Sequence, residues 1–153
     1  ESAGGYLTCM AALDNDPALD TGAYLEYSSQ IQAACPWYPP TDASSFHYDD
    51  PEQAAAAAES LLMGFNVMRN VKEAEDNSPV SKVTKDAPPF LIIHGTDDHT
   101  VPFEQSEILY EKLTKNGCDV KFIELEGADH ADMQFFQDEL WNRIIEFFDE
   151  KLK

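Results

Sequence analysis

An α/β fold with parallel strands is predicted by three features of this sequence. Phe90-Leu91-Ile92-Ile93-His94 is an unbroken apolar run between Pro88-Pro89 and Gly95, which suits a short strand buried on both faces. From that run to the C-terminus, strand and helix patterns alternate, and strands joined through a helix lie parallel with a right-handed crossover. Finally, Ser2-Ala3-Gly4-Gly5 leads small residues straight into an apolar helical stretch.

Taken in order, the first helix extends to about Leu13, where Asn15-Asp16-Pro17 breaks it. Ile31 to Trp37 is expected to be a short buried strand, stopped by Pro36, Pro39 and Pro40, and Thr41 to Tyr48 a loop. Asp50-Pro51-Glu52 supplies an N-cap, a proline at the first helical position and an acid in the first turn. The helix it opens should run through the alanines to about Met63, before Gly64. Residues 65 to 88 are polar and irregular, with one short helix after Asn66. Glu104 to Lys115 carries Ile108, Leu109 and Leu113 at helical spacing and stops at Asn116-Gly117. Asp119 to Leu125 is a second strand, with Val120, Phe122 and Ile123 among polar residues, and Glu139 to Leu152 a last amphipathic helix. No repeat or linker divides the 153 residues, a length that suits one domain.

Composition narrows the function. Hydrophobic content of 43% and charged content of 25% describe a soluble globular chain. No apolar run approaches the ~18 to 20 residues that span a bilayer. Ten Lys plus Arg stand against 29 Asp plus Glu, a net charge of −19. Such a surface repels phosphate backbones and anionic head groups, which argues against nucleic-acid and membrane partners. Cys9, Cys35 and Cys118 are odd in number and widely spaced, a poor match to a disulfide framework or a zinc site. Cys9 and Cys35 are expected as small core residues. The four histidines have no metal-ligand spacing, and neither a phosphate loop nor a dinucleotide fingerprint is present, so no metal and no cofactor is implied.

In an open parallel sheet, function collects where strands end. Three such places hold the residue types of an acyl-transfer triad. Ser2-Ala3-Gly4-Gly5 matches the later part of the G-x-S-x-G nucleophile elbow, where a serine on a sharp strand-to-helix turn needs small neighbours. Its hydroxyl would sit at a helix N-terminus, where backbone N–H groups can stabilise an oxyanion. The alternative for Ser2 is a plain helix N-cap. Asp98 follows Gly95 by three residues in His94-Gly95-Thr96-Asp97-Asp98, well placed to orient an imidazole. Asp97 competes for that role, spacing favours Asp98, and either could simply make a turn. His130, after the second strand and Gly127, suits a general base reaching back to Ser2. The other histidines fall outside this set: His94 is expected to be structural, His47 to line a pocket and His99 to be exposed.

With those segments in view, the sequence resembles the α/β-hydrolase esterases. The resemblance rests on Ser2-Ala3-Gly4-Gly5, Trp37-Tyr38-Pro39-Pro40-Thr41-Asp42, Asp86 to Gly95, Val101 to Ser106 and the Gly127–His130 turn. It is closest to the acetyl esterase/lipase group that includes bifunctional carbohydrate deacetylase and feruloyl esterase enzymes. The resemblance implies that residues 1–153 are the C-terminal half of one α/β-hydrolase catalytic domain, a mostly parallel sheet flanked by helices, with 44–79 a variable cap or pocket segment. It assigns Ser2 as nucleophile, Asp98 as acid and His130 as base, and the backbone N–H of Ala3 as half of the oxyanion hole. Tyr38 and Tyr48 are the candidate substrate contacts. The implied reaction is hydrolysis of a carboxylic ester, of acetyl or feruloyl type on a carbohydrate, through an acyl-enzyme. The family's earlier strands and its His-Gly-Gly loop would precede Ser2, so either a longer polypeptide or a complementary N-terminal chain is expected to supply them. Two other readings remain: a serine peptidase of the prolyl-oligopeptidase type, and a non-catalytic fragment or subunit. Around the histidine the chain departs from the family, with Asp129 and Ala131 where glycine is common.

Overall fold

The computed structural model describes residues 1–153. Helix α1 (Ser2–Leu13) is followed by a long loop, then by four short helices: α2 (Pro51–Ala56), α3 (Ala58–Met63), α4 (Val71–Asp76) and α5 (Pro79–Lys82). The regular part comes next: β1 (Phe90–Gly95), α6 (Glu104–Lys115), β2 (Val120–Leu125) and α7 (Asp138–Lys151). The two strands run parallel in register from Phe90 opposite Val120 to Gly95 opposite Leu125.

Every residue of β1 is buried, because helices cover both of its faces. Alternate side chains leave a strand on opposite sides, and here they enter different cores. Phe90 and Ile92 pack with Cys9, Ala12 and Leu13 of α1 and Leu109 and Leu113 of α6. Leu91 and Ile93 pack with Tyr38, Phe135 and Leu140, Ile144 and Phe147 of α7. That is why the strand reads as a continuous apolar run, and not as an alternation. Strand β2 is covered less completely and keeps its alternation, with only Ile123 fully buried.

The expected strand at Ile31–Trp37 is shorter and broken. Ala34 pairs with Phe90 and Trp37 with Ile93, both parallel, as isolated bridges beside β1. Leu91 N–H donates to Ala34 O at 2.9 Å, Ile93 N–H to Pro36 O at 3.2 Å, and Tyr38 N–H to Ile93 O at 2.8 Å. Pro36 has no N–H to add to the ladder, which interrupts the pairing, while Ile31 is exposed ahead of it. The three-layer order is nevertheless the expected one: the 34–38 segment, β1 and β2 side by side, with helices on both faces.

The variable segment differs more. Asp50 caps α2 through bonds from Glu52 N–H and Gln53 N–H, with Pro51 at the first position, and Gly64 closes α3 in a left-handed conformation. Between them the anticipated single helix breaks at Ala57, whose ψ is 151°. An alanine run offers no large apolar side chain to hold one axis against the core; α2 and α3 each bury a single residue, Ala54 and Ser60. Two short helices, not one, follow Asn66. Cys9 is buried and Cys35 and Cys118 are half-buried; all three are free thiols. No helix is long and apolar enough to cross a membrane.

Candidate active site

Three loops at the same end of the parallel strands bring Ser2, Asp98 and His130 together. Ser2 opens α1 with a φ of 50°, a left-handed backbone that an L-residue adopts only at a cost of about 1–2 kcal/mol. Its N–H donates to Trp37 O at 3.0 Å, which ties the turn to the neighbouring 34–38 segment. Gly5 makes that close approach possible: a Cβ there would lie 2.8 Å from Trp37 O and 3.1 Å from Pro39 Cα. Strain and small residues therefore occur together at the turn, as the sequence led one to expect.

Asp98 is fully buried as a side chain. Its Oδ1 accepts from the N–H groups of Thr100 and Val101, both at 2.8 Å. Its Oδ2 accepts from His130 Nδ1 at 2.7 Å and lies 3.2 Å from His94 Nε2. Asp97, the competing acid, is exposed, and its N–H is used in a bond to Ala128 O at 3.1 Å. Of the two aspartates, the structure brings only Asp98 to the histidine.

His130 completes the row. Its Nε2 accepts from the Ser2 hydroxyl at 3.1 Å, across 128 residues of sequence. Because Nδ1 donates to Asp98, Nε2 is the ring nitrogen left free to accept a proton. The histidine loop is stitched to the acid loop at several points. Thr96 N–H donates to Leu125 O at 3.0 Å and Gly127 N–H to Thr96 Oγ1 at 2.8 Å. Gly95 is required by the same crossing, since a Cβ there would lie 2.2 Å from Ala128 O. Asp129 turns its carboxylate onto the backbone, accepting from His99 N–H at 3.0 Å and His130 N–H at 2.7 Å. Those amides, His99 first, hold its carboxyl below the usual range.

Ala3 follows Ser2 in the first turn of α1, where backbone N–H groups have no partner within the helix. Ala3 also lines a small apolar cavity of about 80 Å³, walled by Tyr6, Pro40, Leu62, Met63 and Pro79, with Glu59 at its edge.

The two candidate substrate contacts, Tyr38 and Tyr48, each bond a carboxylate through the hydroxyl. Tyr38 is fully buried. Its backbone has a φ of 35°, and its ring packs against His130 and Phe135, with centroids 4.4 and 4.7 Å away. The Tyr48 hydroxyl donates to Glu59 Oε2 at 2.8 Å, so Tyr48 approaches the cavity beside Ala3 only through that carboxylate. With His47 it lines a separate cavity of about 150 Å³. Burial, and then the adjacent Glu1 and Glu59 carboxylates, push the Tyr38 and Tyr48 phenols above their usual values.

Two further residues support the site. His94 is buried, with Nε2 3.0 Å from Val101 O and Nδ1 2.7 Å from Ser106 Oγ. It was expected to be structural; its direct link to Asp98 was not legible. Glu1 accepts the Tyr38 hydroxyl at 2.8 Å. Only its position next to Ser2 could have drawn attention to it.

Comparisons with known proteins place the chain among esterases. The BD-FAE family model matches residues 1–113. Esterase LipQ of Mycobacterium tuberculosis is 36% identical, over 85% of this chain and 31% of its own length. The probable carboxylic ester hydrolase LipM of the same organism is 32% identical, over 85% of this chain and 30% of its own. The chain thus spans about a third of the length of these relatives. Among solved structures, a truncated carbohydrate esterase from gut microbiota superposes with a TM-score of 0.84 at 27% identity, covering 98% of this chain and 57% of that one. Esterase Est2 of Thermogutta terrifontis gives 0.67 at 27% identity, covering 97% and 51%.

Proposed function

Because this chain belongs to the BD-FAE family of α/β-hydrolase esterases, we propose that it carries the triad of a serine esterase that cleaves short-chain acyl esters. The observation that carries the proposal is the continuous relay from Ser2 Oγ through His130 to Asp98, at 3.1 and 2.7 Å. Ser2 attacks the ester carbonyl and passes its proton to His130 Nε2, while Asp98 stabilises the imidazolium that forms. The negative charge that develops on the carbonyl oxygen falls near the Ala3 N–H at the start of α1. His130 then protonates the leaving alcohol. Water repeats the sequence on the acyl-enzyme and frees Ser2.

The acyl group is an acetyl or similarly short chain. Its support is the cavity beside Ala3, about 80 Å³, far below the ~300–1,000 Å³ of sites for drug-sized ligands. An acetyl group, two carbons and an oxygen, matches this space more closely than a feruloyl group with its aromatic ring. A carbohydrate alcohol is favoured by the gut carbohydrate esterase among the structural relatives. A complementary segment, in the same polypeptide or a second chain, is proposed to cover the free edge of residues 31–37. There Ile31, Ala33, Cys35 and Trp37 line an apolar groove with Phe136 and Trp141.

Turnover of p-nitrophenyl acetate and labelling by a fluorophosphonate test the proposal together. Wild type should do both, and Ser2→Ala should do neither. Turnover that survives Ser2→Ala unchanged removes the assignment.

A further inference from the structure

We infer that Tyr38, held by Glu1, is a positioning residue that fixes the plane of the His130 ring for proton exchange with Ser2. The inference rests on the proposed triad but concerns residues outside it.

Two hydrogen bonds hold the imidazole at nitrogens on opposite sides of the ring, Asp98 at Nδ1 and Ser2 at Nε2. The Cβ–Cγ bond is the third tether, and it leaves χ1 and χ2 to tilt the ring, which changes where the Nε2 lone pair points. A packed neighbouring ring opposes that tilt, and Tyr38 supplies it at 4.4 Å between centroids with an interplanar angle of 54°. Phe135 also packs against the tyrosine, at 4.7 Å and 90°, and the phenol is anchored by its bond to Glu1 Oε2 at 2.8 Å. Tyr38 therefore has little freedom of its own.

The backbone points the same way. Tyr38 has a φ of 35°, a conformation that costs a bulky residue energy and persists only where the surroundings over-determine it. Its immediate neighbours hold the nucleophile: Trp37 O accepts Ser2 N–H, and Gly5 packs directly on Trp37 and Pro39. One three-residue segment thus touches both the nucleophile turn and the base. It sets their separation as a unit. The electron-rich face of a tyrosine, its hydroxyl bonded to a carboxylate, also attracts the imidazolium that forms during catalysis, being well within the ~6 Å range of cation–π attraction.

Steady-state kinetics with p-nitrophenyl acetate and the rate of fluorophosphonate labelling of Ser2 test this in wild type, Tyr38→Leu, Tyr38→Phe and Glu1→Gln. Removing the ring should lower kcat roughly tenfold or more, with KM within about twofold, and slow labelling by a similar factor. Tyr38→Phe keeps the ring face and should recover most of the loss. Glu1→Gln, which keeps an acceptor without the charge, should fall between Tyr38→Phe and wild type. Equal rates for Tyr38→Leu and wild type, a loss confined to KM, or a Phe variant as impaired as Leu would each overturn the inference. A second readout is independent of turnover: a nuclear Overhauser contact between the Tyr38 and His130 rings in the wild-type chain, and exchange broadening of the His130 ring signals in Glu1→Gln. If wild type neither turns over ester nor reacts with the phosphonate, the triad reading fails. Positioning is then judged by these signals alone: sharp, unchanged His130 resonances in Glu1→Gln refute it.

Discussion

His94 and Asp98 meet inside the protein, with His94 Nε2 3.2 Å from Asp98 Oδ2 and neither side chain exposed to solvent. That carboxylate oxygen is also the one bonded to His130 Nδ1. The acid is therefore gripped from behind by a second histidine, whose own Nδ1 accepts from the Ser106 hydroxyl, and from the side by two backbone amides. An acid so immobilised can dictate which His130 nitrogen carries the proton.

Asp98→Asn tests that control directly. The amide fills the same space but presents a donor to His130 Nδ1 and so favours the wrong tautomer. We expect kcat to fall by about 10⁴-fold while the circular dichroism of the fold is retained. A variant within about tenfold of wild type would show that Asp98 is not the triad acid.

His94 should leave a mark on stability. Burial holds its pKa below the ordinary 6.5, outweighing the Val101 carbonyl and Asp98, which act in the opposite direction. The native state favours the neutral ring, so the unfolded chain takes up its proton first as pH falls. The contribution is complete above pH 6.5 and is lost as pH drops from there through the lowered native value. Thermal melts between pH 8 and 5 should show wild type losing Tm, and His94→Gln, which does not titrate, losing less. Parallel curves would remove His94 from the account.

Ala131 has a φ of 56° beside His130, in the left-handed region that favours glycine. Ala131→Gly should stabilise the fold by roughly 0.5–1 kcal/mol in urea titration, the relief of strain exceeding the added backbone freedom of the unfolded chain. Ala131→Val should destabilise it. A glycine variant weaker than wild type would mean that the Ala131 methyl contributes more than its strain costs.

Gly95 and Gly4 are glycines of opposite kinds. A Cβ on Gly95 meets the Ala128 carbonyl at 2.2 Å, whereas one on Gly4 meets nothing within 4 Å. Gly95→Ala should cost about 2 kcal/mol or more and lower kcat, because it pushes the histidine loop from the acid loop. Gly4→Ala, inside α1, should leave stability equal or higher. Equal effects at both positions would contradict the close crossing at Ala128.

Leu62 walls the cavity beside Ala3. Leu62→Ala should shift preference along a p-nitrophenyl acetate, butyrate and hexanoate series toward the longer chains, read as the ratio of kcat/KM values. An unchanged ratio would place the acyl group elsewhere.

Much of the regular fold was legible because its signals are local. The apolar run of β1, the helical spacing and Asn-Gly stop of α6, and the Asp50-Pro51 start of α2 each depend on neighbours a few residues away. The 31–37 strand is shorter than its apolar residues suggest, because the sequence does not show which N–H the partner strand needs; Pro36 withholds that one. The alanine run reads as one helix because propensity is indifferent to the bend at Ala57, which only contacts with the rest of the chain can set.

The same division holds at the site. The sequence by itself determined the order Ser2, Asp98, His130 and the small residues around the nucleophile, because steric demands at a sharp turn and spacing after a strand are written locally. The tertiary structure joins Asp98, the acid that spacing favoured, to the histidine, and it alone decided that Tyr38 packs against the imidazole ring. It also set Glu1 and His94 behind the reacting groups. Those relationships join segments up to 128 residues apart. They arise from which side chains pack when helices close on both faces of β1, a competition for space that no short stretch of sequence records.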